Sequence, residues 1–229
     1  MKKEESIENI RHSFAHLLAA AVLNIYPKAK LAIGPAIDNG FYYDFDNVHI
    51  GEEDLPRIEA EMKKIAKQDW VFKKELWTAS KTEAHFKKLK QPYKLDLIKE
   101  FSKGKKAVKL GMVYTGEVFL DLCRGGHVKS TKDLPLDAFK LSHVAGAYWR
   151  GDEKNAMLTR VYGLAFSNKK ELKDYLNFLE EAKKNDHRKL GKELGIYMFS
   201  DLVGPGLPLY LPRGAIVVQE IESFMKKLQ

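Results

Sequence analysis

The stretch Ala32-Ile-Gly-Pro-Ala-Ile-Asp-Asn-Gly-Phe-Tyr-Tyr-Asp-Phe45 decides the fold class. Residues 32–37 and 40–45 read as two strands, and the Asp38-Asn39-Gly40 turn between them is the punctuation of a hairpin. On its N-terminal side, residues 5–26 read as an amphipathic helix that stops at Pro27, with Phe14, Leu17, Leu18, Val22 and Ile25 recurring along it. On its C-terminal side, residues 53–67 have helical periodicity with Leu55, Ile58, Met62, Ile65 and Ala66 on one side. Residues 71–77 alternate like a strand, 82–89 and 95–101 read as short helices, and 113–122, 139–149 and 156–166 as strands. Antiparallel strands with segregated helices predict an α+β domain ending near Ser167.

A charged helix then runs from Lys169 to about Leu194, with Leu172, Leu176 and Leu179 along one stripe. It reads as a linker. The turn-rich Asp201-Leu-Val-Gly-Pro-Gly-Leu-Pro208 and a helix over 213–228 follow, and the residues from Ile196 onward are too few to build a core of their own. They read as the opening of a further domain. The expected organisation is therefore 1–167, 168–195 and 196–229.

Net charge is +8, and one segment holds all of it. Residues 61–109 carry 15 Lys, no Arg and 6 acids, whereas the remainder carries 24 bases and 25 acids. Such a surplus suits a polyanionic partner, and equally a lysine-studded solvated face. The single cysteine, Cys123, excludes an internal disulfide framework and fits a reducing compartment. No apolar run is long enough to span a bilayer, and Glu4, Glu5 and Glu8 spoil the signal-like pairing of Lys2 and Lys3 with the apolar stretch from Leu17 to Ile25. The expected location is the cytoplasm.

Two short motifs can carry chemistry. In His12-x-x-x-His16 a spacing of four sets both imidazoles on one helix face, with Ala19, Ala20 and Leu23 continuing beside them toward a lined cavity. Asp121-Leu-Cys-Arg-Gly-Gly-His127 follows a strand and turns through two glycines, which let backbone approach a ligand closely. Together His12, His16, Cys123 and His127 make a four-donor zinc set, or a set of proton-transfer and water-holding groups. A phosphate-binding Gly-x4-Gly-Lys-Ser/Thr loop and a Gly-x-Ser-x-Gly elbow are both absent.

These motifs, with Ala145-Gly-Ala-Tyr-Trp-Arg-Gly-Asp152 and Asp186-His-Arg-Lys-Leu-Gly-Lys-Glu-Leu194 in the same order, resemble the amino-terminal part of bacterial-type threonyl-tRNA synthetases. The histidine and cysteine motifs are also shared with alanyl-tRNA synthetase editing domains. The resemblance implies an editing domain over 1–167, a linker helix over 168–195 and a truncated class II aminoacylation domain from 196. It implies a chain cut from a longer protein, monomeric here and dimeric at full length. ATP, Mg and the threonine-selecting zinc would belong to the absent part, so this chain is not expected to aminoacylate.

The implied task is hydrolysis of serine from mischarged tRNA(Thr). Serine and threonine differ by one methyl, which a single pocket discriminates by only about 1–3 kcal/mol, so a second sieve is needed. By the same resemblance His12 positions or activates water, and Lys94, in Gln91-Pro-Tyr-Lys94, stabilises developing negative charge or orients a second water. Asp121 binds the substrate amino group, and Tyr43, His16, Cys123 and His127 shape the pocket and hold the adenosine end. No metal is required, although the four donors suit zinc as they do in the alanyl type. Gly126 departs from the proline that many members carry there and loosens the turn that places His127. The rival expectations are a non-catalytic tRNA-binding module and an alanyl-type zinc-dependent deacylase.

Overall fold

The computed structural model describes residues 6–103, 108–117, 119–204 and 206–229. The expected start of the first helix at residue 5, Lys105 and Lys106 of the basic segment, Val118 of the expected 113–122 strand and Pro205 of the turn-rich segment lie outside them. The chain divides into two compact units, residues 1–172 and 173–229.

The first unit is α+β, and every strand pair in it is antiparallel. Helix α1 (Ile7–Ile25) is opened by Ser6, whose side chain accepts from the Asn9 amide. It is not the amphipathic helix expected. Every residue from Ser13 to Val22 is buried, because α1 lies against both the main sheet and α2 rather than on the surface. The Leu17–Ile25 apolar stretch is therefore a core helix, and Ala19 and Ala20 pack inside the core rather than lining a cavity.

Of the expected first strand, 32–37, only the last two residues are strand, and a separate short strand precedes it. β1 (Lys30–Leu31) and β2 (Ala36–Ile37) both pair with β3 (Gly40–Asp46), which continues to β8 (Met157–Ala165) and β7 (Phe139–Tyr148). Between β1 and β2 the chain bulges at Ile33-Gly34-Pro35. A Cβ at Gly34 would overlap the Tyr43 ring, so glycine is what lets the backbone cross that ring. Phe41, Tyr43 and Phe45 point from β3 into the core beneath α1.

Helix α2 (Leu55–Ala66) buries the stripe expected of it, Leu55, Ile58, Met62, Ile65 and Ala66. A second, three-stranded sheet follows, in the order β4 (Phe72–Thr78), β5 (Lys109–Thr115), β6 (Phe119–Leu122), with α3 (Ala79–Lys88) and α4 (Pro92–Ser102) between β4 and β5. The single strand expected over 113–122 is thus a hairpin. Gly116, at φ +65°, supplies the reversal, and Tyr114 faces Leu120 across it. A separate apolar cluster of Trp77, Phe86, Ile98, Leu110 and Met112 holds this layer together. β7 (Phe139–Tyr148) and β8 (Met157–Ala165) complete the main sheet.

Helix α5 (Lys169–Lys184) begins in the first unit, where Leu172 is buried. The long charged helix expected to reach Leu194 stops at Lys184 and restarts as α6 (His187–Glu193). Asp186 caps α6 by accepting from the Arg188 amide at 2.8 Å, a local bond that competes with helix continuation. In the second unit β9 (Tyr197–Met198) pairs with β10 (Leu209–Tyr210), and α7 (Pro212–Leu228) follows. No helix among the described residues is long and apolar enough to cross a membrane.

Candidate active site

A cleft of about 880 Å³ opens in the first unit between the N-terminal half of α1, the 33–38 bulge, α4 and the strands β5 and β6. Five of the seven residues singled out from sequence line it: His12, His16, Lys94, Asp121 and Cys123. Tyr43 and His127 stand directly behind them. The helix brings His12 and His16 to one side, and the loop after β6 returns Cys123 and His127 to the same point.

The four donor atoms of His12, His16, Cys123 and His127 all lie within 4.8 Å of one another. Cys123 Sγ is 3.5 Å from His12 Nε2 and 3.3 Å from His127 Nε2, and it accepts from the Gly125 amide at 3.3 Å. The His127 ring is stacked between His12, at 4.2 Å between centroids, and Phe72, at 4.9 Å. Its Nδ1 lies 3.2 Å from Ser13 Oγ, and His16 Nδ1 lies 3.4 Å from Thr115 Oγ1.

Burial keeps these imidazoles neutral. It pushes His12 down from the ordinary histidine value, opposed by the carbonyls of Gly126 and Gly125. His16 is fully buried and pushed down further, with His12 and Lys94 adding to the effect; His127 is depressed by burial and by its two histidine neighbours. Burial pushes the Cys123 thiol up to about 11, so at neutral pH it keeps its proton. The set thus presents uncharged proton acceptors around a thiol.

Beside it is a fully buried charged triad. Lys94 Nζ is 2.5 Å from Asp121 Oδ1 and donates to the Tyr43 hydroxyl at 3.0 Å, while that hydroxyl donates to Asp121 Oδ2 at 2.6 Å. Asp121 Oδ1 also accepts from the Leu122 amide at 2.7 Å. Oδ1 thus has both of its lone pairs filled, and Oδ2 one of its two. Lys94, Asp121 and Tyr43 are 2%, 3% and 1% exposed, which makes the pairing obligatory rather than decorative. Burial and Asp121 together push the Tyr43 hydroxyl well above the usual phenol range.

Sequence spacing alone does not single out Lys94, one lysine among fifteen in its segment. Its aim comes from the start of α4. Gln91 accepts from the Leu31 amide at 2.8 Å and donates to the Ala29 carbonyl at 3.3 Å. Tyr93 donates to Asp46 at 2.7 Å. These bonds dock the helix on β1 and β3 and direct Lys94 inward. Ser13, Thr115 and Phe72, which hold the histidines, were not foreseen; the only sequence signal is that Ser13 sits inside the His12–His16 turn.

Gly125 and Gly126 have φ of +97° and +86°. Proline is locked near −65°, so this loop follows a path closed to the proline that the resemblance places at position 126.

Residues 110–162 match the family model described as the threonyl and alanyl tRNA synthetase second additional domain. That span runs from β5 through β8 and includes Asp121, Cys123 and His127. Over nearly its whole length the chain is also similar to proteins named threonine–tRNA ligase. It is 46% identical to that of Bdellovibrio bacteriovorus over 228 residues, 47% to that of Gloeobacter violaceus over 226 and 49% to that of Thermotoga neapolitana over 232. These alignments cover 98–100% of the chain and 34–35% of each relative. The chain is thus related throughout to the threonyl-tRNA synthetases, and spans about a third of the length of the curated relatives it matches.

Proposed function

We propose that the cleft hydrolyses the ester of a mischarged aminoacyl-tRNA, with seryl-tRNA(Thr) as substrate and the acceptor end of tRNA as partner. The observation that carries this reading is the convergence, in one cleft, of uncharged imidazole acceptors with a buried lysine cation. Ester hydrolysis needs both: an acceptor for the water proton and positive charge where the oxyanion develops.

In this reading His12 holds the attacking water and takes its proton as the oxygen bonds to the ester carbon. Lys94 stabilises the oxyanion. As the carbon–oxygen bond to the ribose breaks, the leaving oxygen takes a proton from the His12 imidazolium, releasing serine and the free tRNA end. Asp121 and Tyr43 hold Lys94 in place, and the second lone pair of Asp121 Oδ2 is left for the ammonium group of the substrate. His16, Cys123 and His127 shape the wall behind His12. The methyl of threonine is excluded or misplaces the water.

The reading requires no metal. The donor set nevertheless suits zinc, since three imidazoles and a thiol are ordinary zinc ligands. Their present spread of up to 4.8 Å is somewhat wider than the roughly 3.5 Å between ligands of a tetrahedral ion, a difference side-chain rotations can close. His12, His16, Cys123 and His127 would hold it, and Cys123 would lose its proton on binding. A bound zinc supplies Lewis-acid polarisation of a carbonyl or water.

The decisive assay offers seryl-tRNA and threonyl-tRNA, both on tRNA(Thr), to the purified chain. Selective loss of the seryl ester is expected, persisting after chelation, with His12→Ala lowering the rate by about 10²–10⁴-fold. Hydrolysis abolished by chelator and restored by zinc would replace this reading with the zinc-dependent one. If neither ester is hydrolysed faster than in buffer, the cleft is a binding module.

A further inference from the structure

We propose that Ser13 is a positioning residue that holds His127 with its proton on Nδ1, so that a bare Nε2 faces the Cys123 thiol. The geometry stands by itself; only its consequence for hydrolysis rests on the function proposed above.

A serine hydroxyl has one proton and two lone pairs. The proton of Ser13 goes to the Asn9 carbonyl, 2.7 Å away and one turn earlier in α1. One lone pair accepts the Val128 amide at 3.1 Å. The remaining lone pair lies 3.2 Å from His127 Nδ1. A bare Nδ1 would set lone pair against lone pair, so Nδ1 is the donor. Ser13 and Val128 are 0% and 1% exposed, so no solvent water takes over either role. The stacking of His127 between Phe72 and His12 keeps the ring from turning to exchange its nitrogens.

In the neutral ring Nε2 is then the acceptor, and it stands 3.3 Å from Cys123 Sγ. Ser13 thus decides that His127 offers the site a lone pair rather than a proton. The opposite tautomer would turn an N–H toward the thiol and force the Ser13 hydroxyl off Asn9. The effect on hydrolysis is indirect: His127 Nε2 takes the Cys123 proton at 3.3 Å, so His12 Nε2, 3.5 Å from the same sulfur, does not have to accept it and turns to water. One hydroxyl also anchors the chain just after His127 through the Val128 amide, tying the tautomer to the loop that carries His127.

Nitrogen NMR of the full chain, with histidine labelled in both ring positions, reads the tautomer directly. His127 should show a protonated Nδ1 and an unprotonated Nε2. Ser13→Ala should mix the two tautomers and slow seryl-ester hydrolysis by up to about 10²-fold through misplacement of the site, and Ser13→Thr, which restores the hydroxyl, should recover both. A wild-type spectrum with the proton on Nε2 overturns the proposal, whether or not Ser13→Ala folds. So does a folded Ser13→Ala that keeps the Nδ1–H form alone. If the tautomer responds as expected but no variant hydrolyses either ester, the hydrolase reading fails and the role of Ser13 remains.

Discussion

Lys94 and Asp121 show how differently one side chain weighs when it is buried. Lys94→Met leaves a carboxylate without its cation in a site only 3% exposed, and should cost about 3–5 kcal/mol in urea denaturation. Removing both charges, Lys94→Met with Asp121→Leu, should recover most of that stability and none of the hydrolysis. Equal stability of the single and double variants would contradict the pairing. The histidines set the acid limit. His12, His16 and His127 have values depressed in the fold, so the unfolded chain binds protons first as pH falls through about 6.5. Their contribution to stability is complete above that pH and lost below it, by up to about 1.4 kcal/mol per pH unit for each. Denaturation of metal-free protein at pH 7.5 and 5.5 checks this; an unchanged midpoint would show that the rings protonate in place. The pairing of His12 with His16 was legible because helical spacing is a short-range rule. The use of Lys94 was not, since nothing local separates it from its fourteen neighbours and only docking through Gln91 and Tyr93 buries it.

At the level of elements, alternation and capping carried most of the reading, and failures fell where tertiary context overrides them. The stripe of α2 was visible because only one face is covered. The burial of α1 was not, because a helix covered on several sides needs apolar residues all round and so loses its polar face. The β5–β6 reversal hinged on Gly116, whose positive φ is a property of the folded loop. The loop after β6 depends on the same freedom at Gly125 and Gly126. Gly126→Pro should destabilise the chain by about 1–3 kcal/mol, because the ring cannot adopt φ +86° and the turn must be rebuilt. Thermal denaturation measures this, and an increase in stability would show that the loop readily takes another path.

For the whole molecule, the seven residues of the site all fall within the unit that ends at Leu172. A chain cut after Leu172 should therefore fold cooperatively and keep whatever ester hydrolysis the full chain shows; loss of folding would place part of its core beyond that point. The second unit exposes large apolar side chains, among them Ile216, Ile221, Phe224 and Leu228 of α7, so the shorter chain should also aggregate less. The basic surplus is largely a solvated face, with Lys73, Lys81, Lys87 and Lys88 exposed, while Lys94 is withdrawn into the interior. Charge counting located the segment and could not make that distinction.

The first unit has two principal apolar clusters, and the site sits on the seam between them. Tyr43, Phe14 and Phe119 belong to the larger; α4, with Lys94, reaches the smaller one around Trp77 and Met112 through Ile98, and packs Tyr93 in a third with Ala32, Trp149 and Leu158 that ties it to the main sheet. The charged triad bridges residues 51 and 78 apart in sequence. Moving the cation away from the imidazoles would therefore also break the bonds of Gln91 and Tyr93 to the main sheet and the packing of Tyr93 on Trp149. The lifetime of the assembled site is then tied to that of the main sheet, and the cation and the imidazoles part company only when the sheet itself gives way.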